Sequence, residues 1–339
     1  MSPDNVYSKA REVLQGICQV CPICDGRRCP TGVPGMGGIG TGEAFRRNIE
    51  ALKGWKVNLR VLHDKKEQDT CLKFLGCTLP FPILAAPVTG TKVNFRGRMK
   101  ETDLARAMVQ GAKLAGTLAM TGDAPDPEVF QAGLAAIRQA GGWGIPVIKP
   151  RSNKEIIALI RQAEEAGAPA VGIDVDAAGF LNMVRAGQLV EPKSVEDIRE
   201  IVGATSLPVI LKGIMTVADA EAAVEGGAAA IVVSNHGGRA LDHTPGTAEV
   251  LPEIADKVKG KIALLADGGV RTGVDVLKML ALGAEAVLVG RPLFIAACGG
   301  GAEGVHQKLL DMAFELQAAM RLTGCGSLQD ISFSILKHA

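Results

Sequence analysis

The run Ser234-Asn235-His236-Gly237-Gly238-Arg239 holds the residue types that a proton-transfer site needs, at close spacing. A histidine takes up or releases a proton near neutral pH. An arginine three positions on can grip a carboxylate through two parallel N–H donors. The glycines between them let the backbone turn sharply and let a flat ligand approach. The same residues also read as a glycine-rich turn with a surface histidine, so position decides. Ala229 to Val233 are apolar and partly β-branched, a buried strand by pattern. His236 and Arg239 therefore follow a strand's C-terminal end, where a (β/α)8 barrel does its chemistry.

Two further stretches suit a phosphate. Asp267-Gly268-Gly269-Val270-Arg271-Thr272-Gly273 and Gly290-Arg291-Pro292 each lead from a strand into a helix. Glycines there expose backbone N–H groups at a helix start, and Arg271 and Arg291 add charge-assisted bonds. A phosphate-bearing cofactor or substrate follows. Neither a strand-linked GxGxxG nor a GxxxxGK[ST] is present, so a Rossmann dinucleotide site and a P-loop are not indicated. Near the N-terminus stands Cys18-x2-Cys21-x2-Cys24-x4-Cys29, with Pro22 and Pro30 beside it. Thiolates so spaced suit an iron–sulfur cluster or a tetrahedral zinc; free thiols or a redox disulfide pair are the plain alternative. Cys71, Cys77, Cys298 and Cys325 are scattered and read as packed thiols.

The elements that must position these groups form a repeat. Strand-like runs at Pro82–Pro87, Gly116–Met120, Ile145–Lys149, Ala170–Val175, Pro208–Lys212, Ala229–Val233, Ile262–Ala266 and Glu285–Val289 alternate with amphipathic helices. The helices include Asp103–Ala115, Glu128–Ala140, Lys154–Ala166, Val217–Glu225 and Val274–Leu282. Strands apolar throughout, alternating with helices, make a parallel sheet covered on both faces. Eight units favour an α/β (β/α)8 TIM barrel over a doubly wound sheet. The strand ends then gather at one mouth and offer it mostly polar residues: Thr89 past the first strand, with Pro87 and Val88 beside it as cofactor contacts, Thr121 past the second, and Lys149 at the third. Asp174 and Asp176 follow the fourth, Lys212 ends the fifth, and Ser234 and Asp267 follow the sixth and seventh. Upstream, the pattern gives a helix from Asn5 to Leu14, a glycine-rich loop over 31–42, a helix and extended piece from Glu43 to Leu62, and a hairpin over 70–80. Residues 1–80 read as a Cys-rich extension capping a barrel of residues 81–339. A last helix, Ala302 to Leu322, packs outside.

With 47% hydrophobic residues, a chain of 339 residues can fill a large core. Its net charge of +1 points to neither nucleic acid nor an anionic membrane. No apolar run reaches 18 residues, so no membrane span is expected. Met1 to Gln15 is polar and lacks the pattern of a signal peptide. A cytoplasmic setting follows, in which the eight cysteines are not read as structural disulfides.

Leu207 to Pro292 resembles the FMN-dependent 2-hydroxy-acid oxidase and dehydrogenase family, which includes glycolate oxidase, lactate oxidase and flavocytochrome b2. The matching pieces are Leu207–Gly213, Ser234–Asp242, Asp267–Arg271 and Gly290–Pro292, with weaker likeness at Asn48, Asn58–Leu62, Pro82–Pro87 and Leu322–Cys325. The resemblance implies FMN, a small carboxylate substrate such as lactate or glycolate, and transfer to flavin N5. His236 would be the general base and Asp176 its partner. Arg239 would bind the substrate carboxylate, and Lys212 would sit by the flavin N1–C2=O. Gly269, Arg271, Gly290 and Arg291 would hold the phosphate, and Ser234 would meet the flavin or ribityl chain. A homo-oligomer is also implied.

The departures fall on the substrate side. The family's tyrosine in the N-terminal glycine region is missing, since the only tyrosine is Tyr7. A Gln-x-Tyr at the third strand is replaced by Lys149-Pro150-Arg151, and a Thr-Val-Asp at the fourth by Asp174-Val175-Asp176. The second substrate arginine has only Arg185 as a loose counterpart, and the lid after the fourth strand is absent. Lys149 and Arg151 offer replacement charge, or Lys149 contacts the flavin. A cluster on the cysteines would pass electrons to a carrier protein, making a dehydrogenase. Other readings are a flavin-dependent isopentenyl diphosphate isomerase, against which His236 and Arg239 argue, and a non-catalytic flavin or metal sensor. An IMP dehydrogenase type is opposed by the lack of cysteine between Cys77 and Cys298.

Overall fold

The computed structural model of the chain describes residues 3–29 and 35–339. Pro30, beside the cysteines, and residues 31–34 of the expected glycine-rich loop lie outside the described residues. Eight parallel strands run in order: β1 (Ile83–Ala85), β2 (Met120–Thr121), β3 (Ile145–Ile148), β4 (Val171–Asp174), β5 (Val209–Ile214), β6 (Ala230–Val233), β7 (Ala263–Ala266) and β8 (Ala286–Val289). Each pairs with the next from β2 onward, and β8 returns to β1 through Val287↔Ile83, Leu288↔Leu84 and Val289↔Ala85. The last seam is slight: Ala85 bridges Ala119, and its N–H donates to the Leu118 carbonyl at 3.0 Å. The ring is a (β/α)8 barrel.

Two strands differ from expectation. β2 is shorter and later than Gly116–Met120, because Gly116 (φ 79°) still belongs to the turn after the preceding helix. β5 continues past Lys212 to Ile214 with a register shift at Gly213. There φ is 106°, and a Cβ would fall 2.4 Å from the Asp176 carboxyl carbon. Only glycine lets Asp176 come in beside Lys212.

The barrel interior is one apolar cluster that includes Leu84, Met120, Val147, Ile210, Val232, Leu265 and Leu288. Phe74 and Leu79, from the hairpin Leu72–Phe74/Cys77–Leu79, join it and plug the end opposite the strand C-termini. The helices form close to expectation, at Glu101–Leu114, Pro127–Gln139, Asn153–Glu165, Val217–Glu225 and Gly273–Ala281. Their starts carry caps: Ser152, Thr216 and Thr272 each accept a backbone N–H from the third helical residue. The final helix begins at Arg291 rather than Ala302 and runs to Thr323, broken at Gly301 (φ 58°, ψ −143°). Its first half starts directly from β8. The helix Pro3–Val13 lies against it so closely that a Cβ at Gly299 would meet the Val6 carbonyl oxygen at 1.9 Å. Trp55–Val57 pairs antiparallel with Leu336–His338, tying the N-terminal segment to the chain's end.

Candidate active site

The strand C-termini open into a cavity of about 980 Å³, walled by His236, Arg239, Lys149, Lys212, Arg271 and Arg291 among others. His236 enters it from the loop after β6 with φ 58°, a left-handed conformation unusual for a residue with a Cβ. The surroundings impose it. Ser234 Oγ accepts the His236 N–H at 3.0 Å and donates to Asp267 Oδ1 at 2.7 Å. Asn235 Oδ1 accepts from the Gly238 N–H at 3.1 Å and from Asn48 Nδ2 at 2.8 Å. A Cβ at Gly238 (φ 78°) would sit 2.3 Å from the Phe45 backbone nitrogen, so the loop presses against the helix Glu43–Gly54.

His236 Nδ1 lies 3.1 Å from each carboxylate oxygen of Asp176. A proton on Nδ1 donated to Asp176 leaves Nε2 with its lone pair, and among the described residues nothing bonds that nitrogen. Phe180 packs edge-on against the imidazole, with centroids 4.7 Å apart. Beneath this pair lies a buried charge network. Lys149 Nζ donates to Asp174 Oδ2 at 2.7 Å, and Lys212 Nζ stands 3.2 Å from Asp174 Oδ1. Lys212 Nζ is also 3.5 Å from His236 Nδ1 and 3.8 Å from Asp267 Oδ2. Burial opposes charge on Lys212, yet Asp174, Asp267 and Asp176 outweigh it and raise the ammonium above the usual lysine range. Burial would raise the Asp174 carboxyl too, but Lys149, Lys212 and His236 hold it well below the usual carboxylate range. Asp267 goes the other way, raised by burial that Lys212 and Ser234 only partly offset.

The ends of β7 and β8 are different in kind. Arg271 donates through Nε to the Cys24 carbonyl at 3.1 Å and through Nη1 to its neighbour Val270's carbonyl at 2.9 Å. Its Nη2 is buried with no partner. Arg291 lies 3.8 Å over the Phe45 ring and reaches the Met36 and Gly237 carbonyls. Burial, with Arg271 and Arg239 nearby, pushes its guanidinium down to about 9. Among the described residues no carboxylate pairs with either arginine. Two cations and an orphaned donor beside Gly268, Gly269 and the helix start at Arg291 are the mark of a phosphate seat.

The other expected residues divide. Pro87, Val88, Thr89, Lys149, Lys212, Asp267 and Gly290 line the cavity. Thr121 and Ser234 do not: Ser234 is buried behind His236, and Thr121 Oγ1 is buried without a partner. Arg239 lines the cavity with three donors in use, to the Gly35 and Gly37 carbonyls (2.6 and 3.0 Å) and to Asn94 Oδ1 (2.9 Å), and two N–H left over. Arg151 departs from expectation. Asp123 binds its guanidinium through both oxygens, one at 3.1 Å, and it is absent from the cavity wall. Asp123 also accepts the Lys149 backbone N–H at 2.9 Å, which fixes the turn. Arg185 reaches the rim, and Tyr7 sits far off in the first helix. Asn94, Asp123 and Phe180 escaped the sequence reading. Phe180 alone carried a signal, an aromatic just past the strand that ends in Asp174.

Cys18, Cys21, Cys24 and Cys29 are all free and partly buried, and together they line a separate cavity of about 440 Å³. Burial, with neighbouring cysteines, pushes the Cys29 thiol up to about 11. No disulfide forms among the described residues.

The model of the FMN-dependent dehydrogenase family matches residues 35–189 and 182–338. The chain belongs to that family. It is an FMN-dependent oxidoreductase with the fold expected above. Glycolate oxidase 3 of Arabidopsis thaliana is 33% identical, covering 86% of this chain and 87% of its own. L-lactate oxidase of Alicycliphilus denitrificans is 32% identical, covering 88% and 90%. A crystal structure of mandelate oxidase with (S)-2-phenylpropionate superposes with TM-score 0.78 at 33% identity, covering 98% of this chain and 97% of that one. None of the helices among the described residues is long and apolar enough to cross a membrane.

Proposed function

We propose that this chain oxidises a small 2-hydroxy acid, of the glycolate or lactate kind, to the 2-oxo acid. The observation that carries the reading is His236, fixed by Asp176 with Nε2 open to a cavity whose other end suits a phosphate. FMN, when bound, supplies the acceptor for the electron pair leaving the substrate's α-carbon. Arg271, Arg291 and the N–H groups around Gly269 and Gly290 would hold its phosphate, and Lys212 would offset negative charge gained on its ring. Arg239 holds the substrate carboxylate with its two remaining N–H groups. His236 Nε2 accepts a proton from the substrate, that of the 2-hydroxyl or of the α-carbon, and Asp176 stabilises the imidazolium that results. Phe180, edge-on against the imidazole and lining the same cavity, helps fix the ring's orientation.

The reading treats residues 1–80 as a cap on the barrel of 81–339. It gives the cysteine loop a metal centre, iron–sulfur or zinc, and makes a carrier protein rather than oxygen the acceptor. It also includes a cytoplasmic location and a homo-oligomer, to which the exposed Leu59, Val61 and Leu62 offer an apolar face.

Anaerobic mixing of the flavin-loaded protein with glycolate, lactate and mandelate tests the reading. Bleaching by at least one of them is expected, slowed by about a thousandfold or more in His236→Ala with flavin still bound. Absence of flavin, or an unslowed His236→Ala, sinks it.

A further inference from the structure

We infer that Cys18, Cys21, Cys24 and Cys29 hold a [4Fe–4S] cluster, in a cavity of their own behind the phosphate end of the flavin site. The inference deepens the proposed function and rests on it only for the source of electrons. All four thiols wall one cavity of about 440 Å³, with Arg11 and Arg28 and one carboxylate, Asp25, alongside, a net positive lining for four thiolates. A single zinc would draw its sulfurs to just under about 4 Å of one another, given Zn–S of about 2.3 Å and tetrahedral geometry. Here no three of the sulfurs lie within 4.8 Å of one another. A cubane cluster gives each thiolate its own iron at a separate corner, so the sulfurs stand apart around a volume that one ion does not fill.

The loop is turned toward sulfur. Val20, β-branched, is held at φ 46°, and in that costly conformation its N–H points at Cys18 Sγ, 3.4 Å away. N–H donors to cysteine sulfur are one means by which a protein sets a cluster's potential. On its other side the loop is fastened to the main site. Arg271 walls the large cavity and donates to the Cys24 carbonyl, and Ile295, from the helix that starts at Arg291, walls the cysteine cavity. Arg271 thus joins the large cavity to the cysteine loop.

That placement makes the cluster an electron exit. Oxidation of a 2-hydroxy acid to a 2-oxo acid releases two electrons and two protons. The cluster takes one electron at a time, so it is reduced and reoxidised twice per turnover. Each electron goes to a one-electron carrier protein, and the protons go to water.

The full chain, purified without oxygen and with flavin bound, should carry about four iron and four sulfide. It should also show a broad visible absorption beneath the flavin bands that bleaches with dithionite. Cys21→Ser should lose both with flavin content unchanged, and Cys71→Ser, an exposed thiol of the hairpin, should keep both. Zinc without iron, or four thiols that titrate freely in the flavin-loaded protein, overturns the cluster. As an exit, it predicts that Cys21→Ser reduces a bacterial ferredoxin about tenfold or more slowly, while substrate still reduces its flavin at the wild-type rate. Equal ferredoxin rates overturn that role. Iron without flavin would refute the FMN reading and leave the cluster standing, so the two failures are told apart.

Discussion

Asp176→Asn removes one charge and almost no volume, which makes it the sharpest probe of the proposed base. Both carboxylate oxygens lie 3.1 Å from His236 Nδ1, so the imidazolium formed during turnover has its counter-charge at contact. Charge centres about 4 Å apart, at an effective dielectric of about 20, attract by about 4 kcal/mol. Lost from the transition state alone, that is about a thousandfold in rate. The neighbours do not compensate. Asp174 is 3.9 Å from Nδ1 but already holds Lys149 and Lys212. Lys212, 3.5 Å away, repels an imidazolium. The asparagine amide would also donate to Nδ1 and move the proton to Nε2, disarming the base. The assay is anaerobic stopped-flow reduction of bound flavin by the best substrate, with flavin content and melting temperature measured on the same sample. A rate within about threefold of wild type, with flavin bound and fold intact, would falsify the role given to Asp176.

Arg291→Met should weaken FMN binding by about tenfold to a hundredfold, the loss of a charged donor of about 1.5–3 kcal/mol, read by fluorescence titration of the apoprotein. An unchanged affinity would move the phosphate elsewhere. Lys212→Met should keep oxidised flavin but slow its reduction by about tenfold or more, seen in the same stopped-flow trace. Asp174→Asn should cost about 3–5 kcal/mol of stability at neutral pH, because it strands the buried Lys149 ammonium and leaves Lys212 with only the more distant Asp267. The sign with pH follows from the depressed Asp174 carboxyl. Its contribution is present above the unfolded value of about 3.9 and fades as pH falls through the folded one, so the gap between wild type and variant narrows below about pH 4. A gap that widens on acidification in denaturant titrations contradicts the network.

The barrel was legible because its signal is local. Each strand is a short apolar run and each helix an amphipathic one, so eight repeats announce the topology before any contact is known. The same holds for Asp267–Gly273 and Gly290–Pro292, whose glycines and arginines mark helix starts in the sequence itself. Contacts between distant segments were not legible. Asn48 reaches Asn235, Asp242 accepts the Ala44 N–H at 3.1 Å, and Arg239 reaches Asn94 and the Gly35 and Gly37 carbonyls. These bonds link segments far apart in the chain, and no periodicity encodes them. Arg151 shows the cost: its place after the third strand suggested a substrate cation, but Asp123, in the loop after β2, binds it.

The cations at the barrel mouth separate by what faces them. Lys149 and Lys212 share Asp174, with Asp267 also 3.8 Å from Lys212, and Arg151 has Asp123, so each of these positive charges faces a carboxylate within the protein. Lys212 accordingly has its ammonium reinforced. Arg239, Arg271 and Arg291 have no carboxylate partner among the described residues. Burial lowers Arg239 to about 10, and burial with its arginine neighbours lowers Arg291 to about 9. A buried cation without a counter-ion is costly, and a fold keeps it where a ligand brings the missing charge. The deficit falls in two places: beside the helix start at Arg291, and beside His236 at Arg239. A phosphate answers the first and a carboxylate the second. The ligand side of this site is thus written as charge left uncompensated. Lys149 and Arg151 stand outside that deficit, because Asp174 and Asp123 face them.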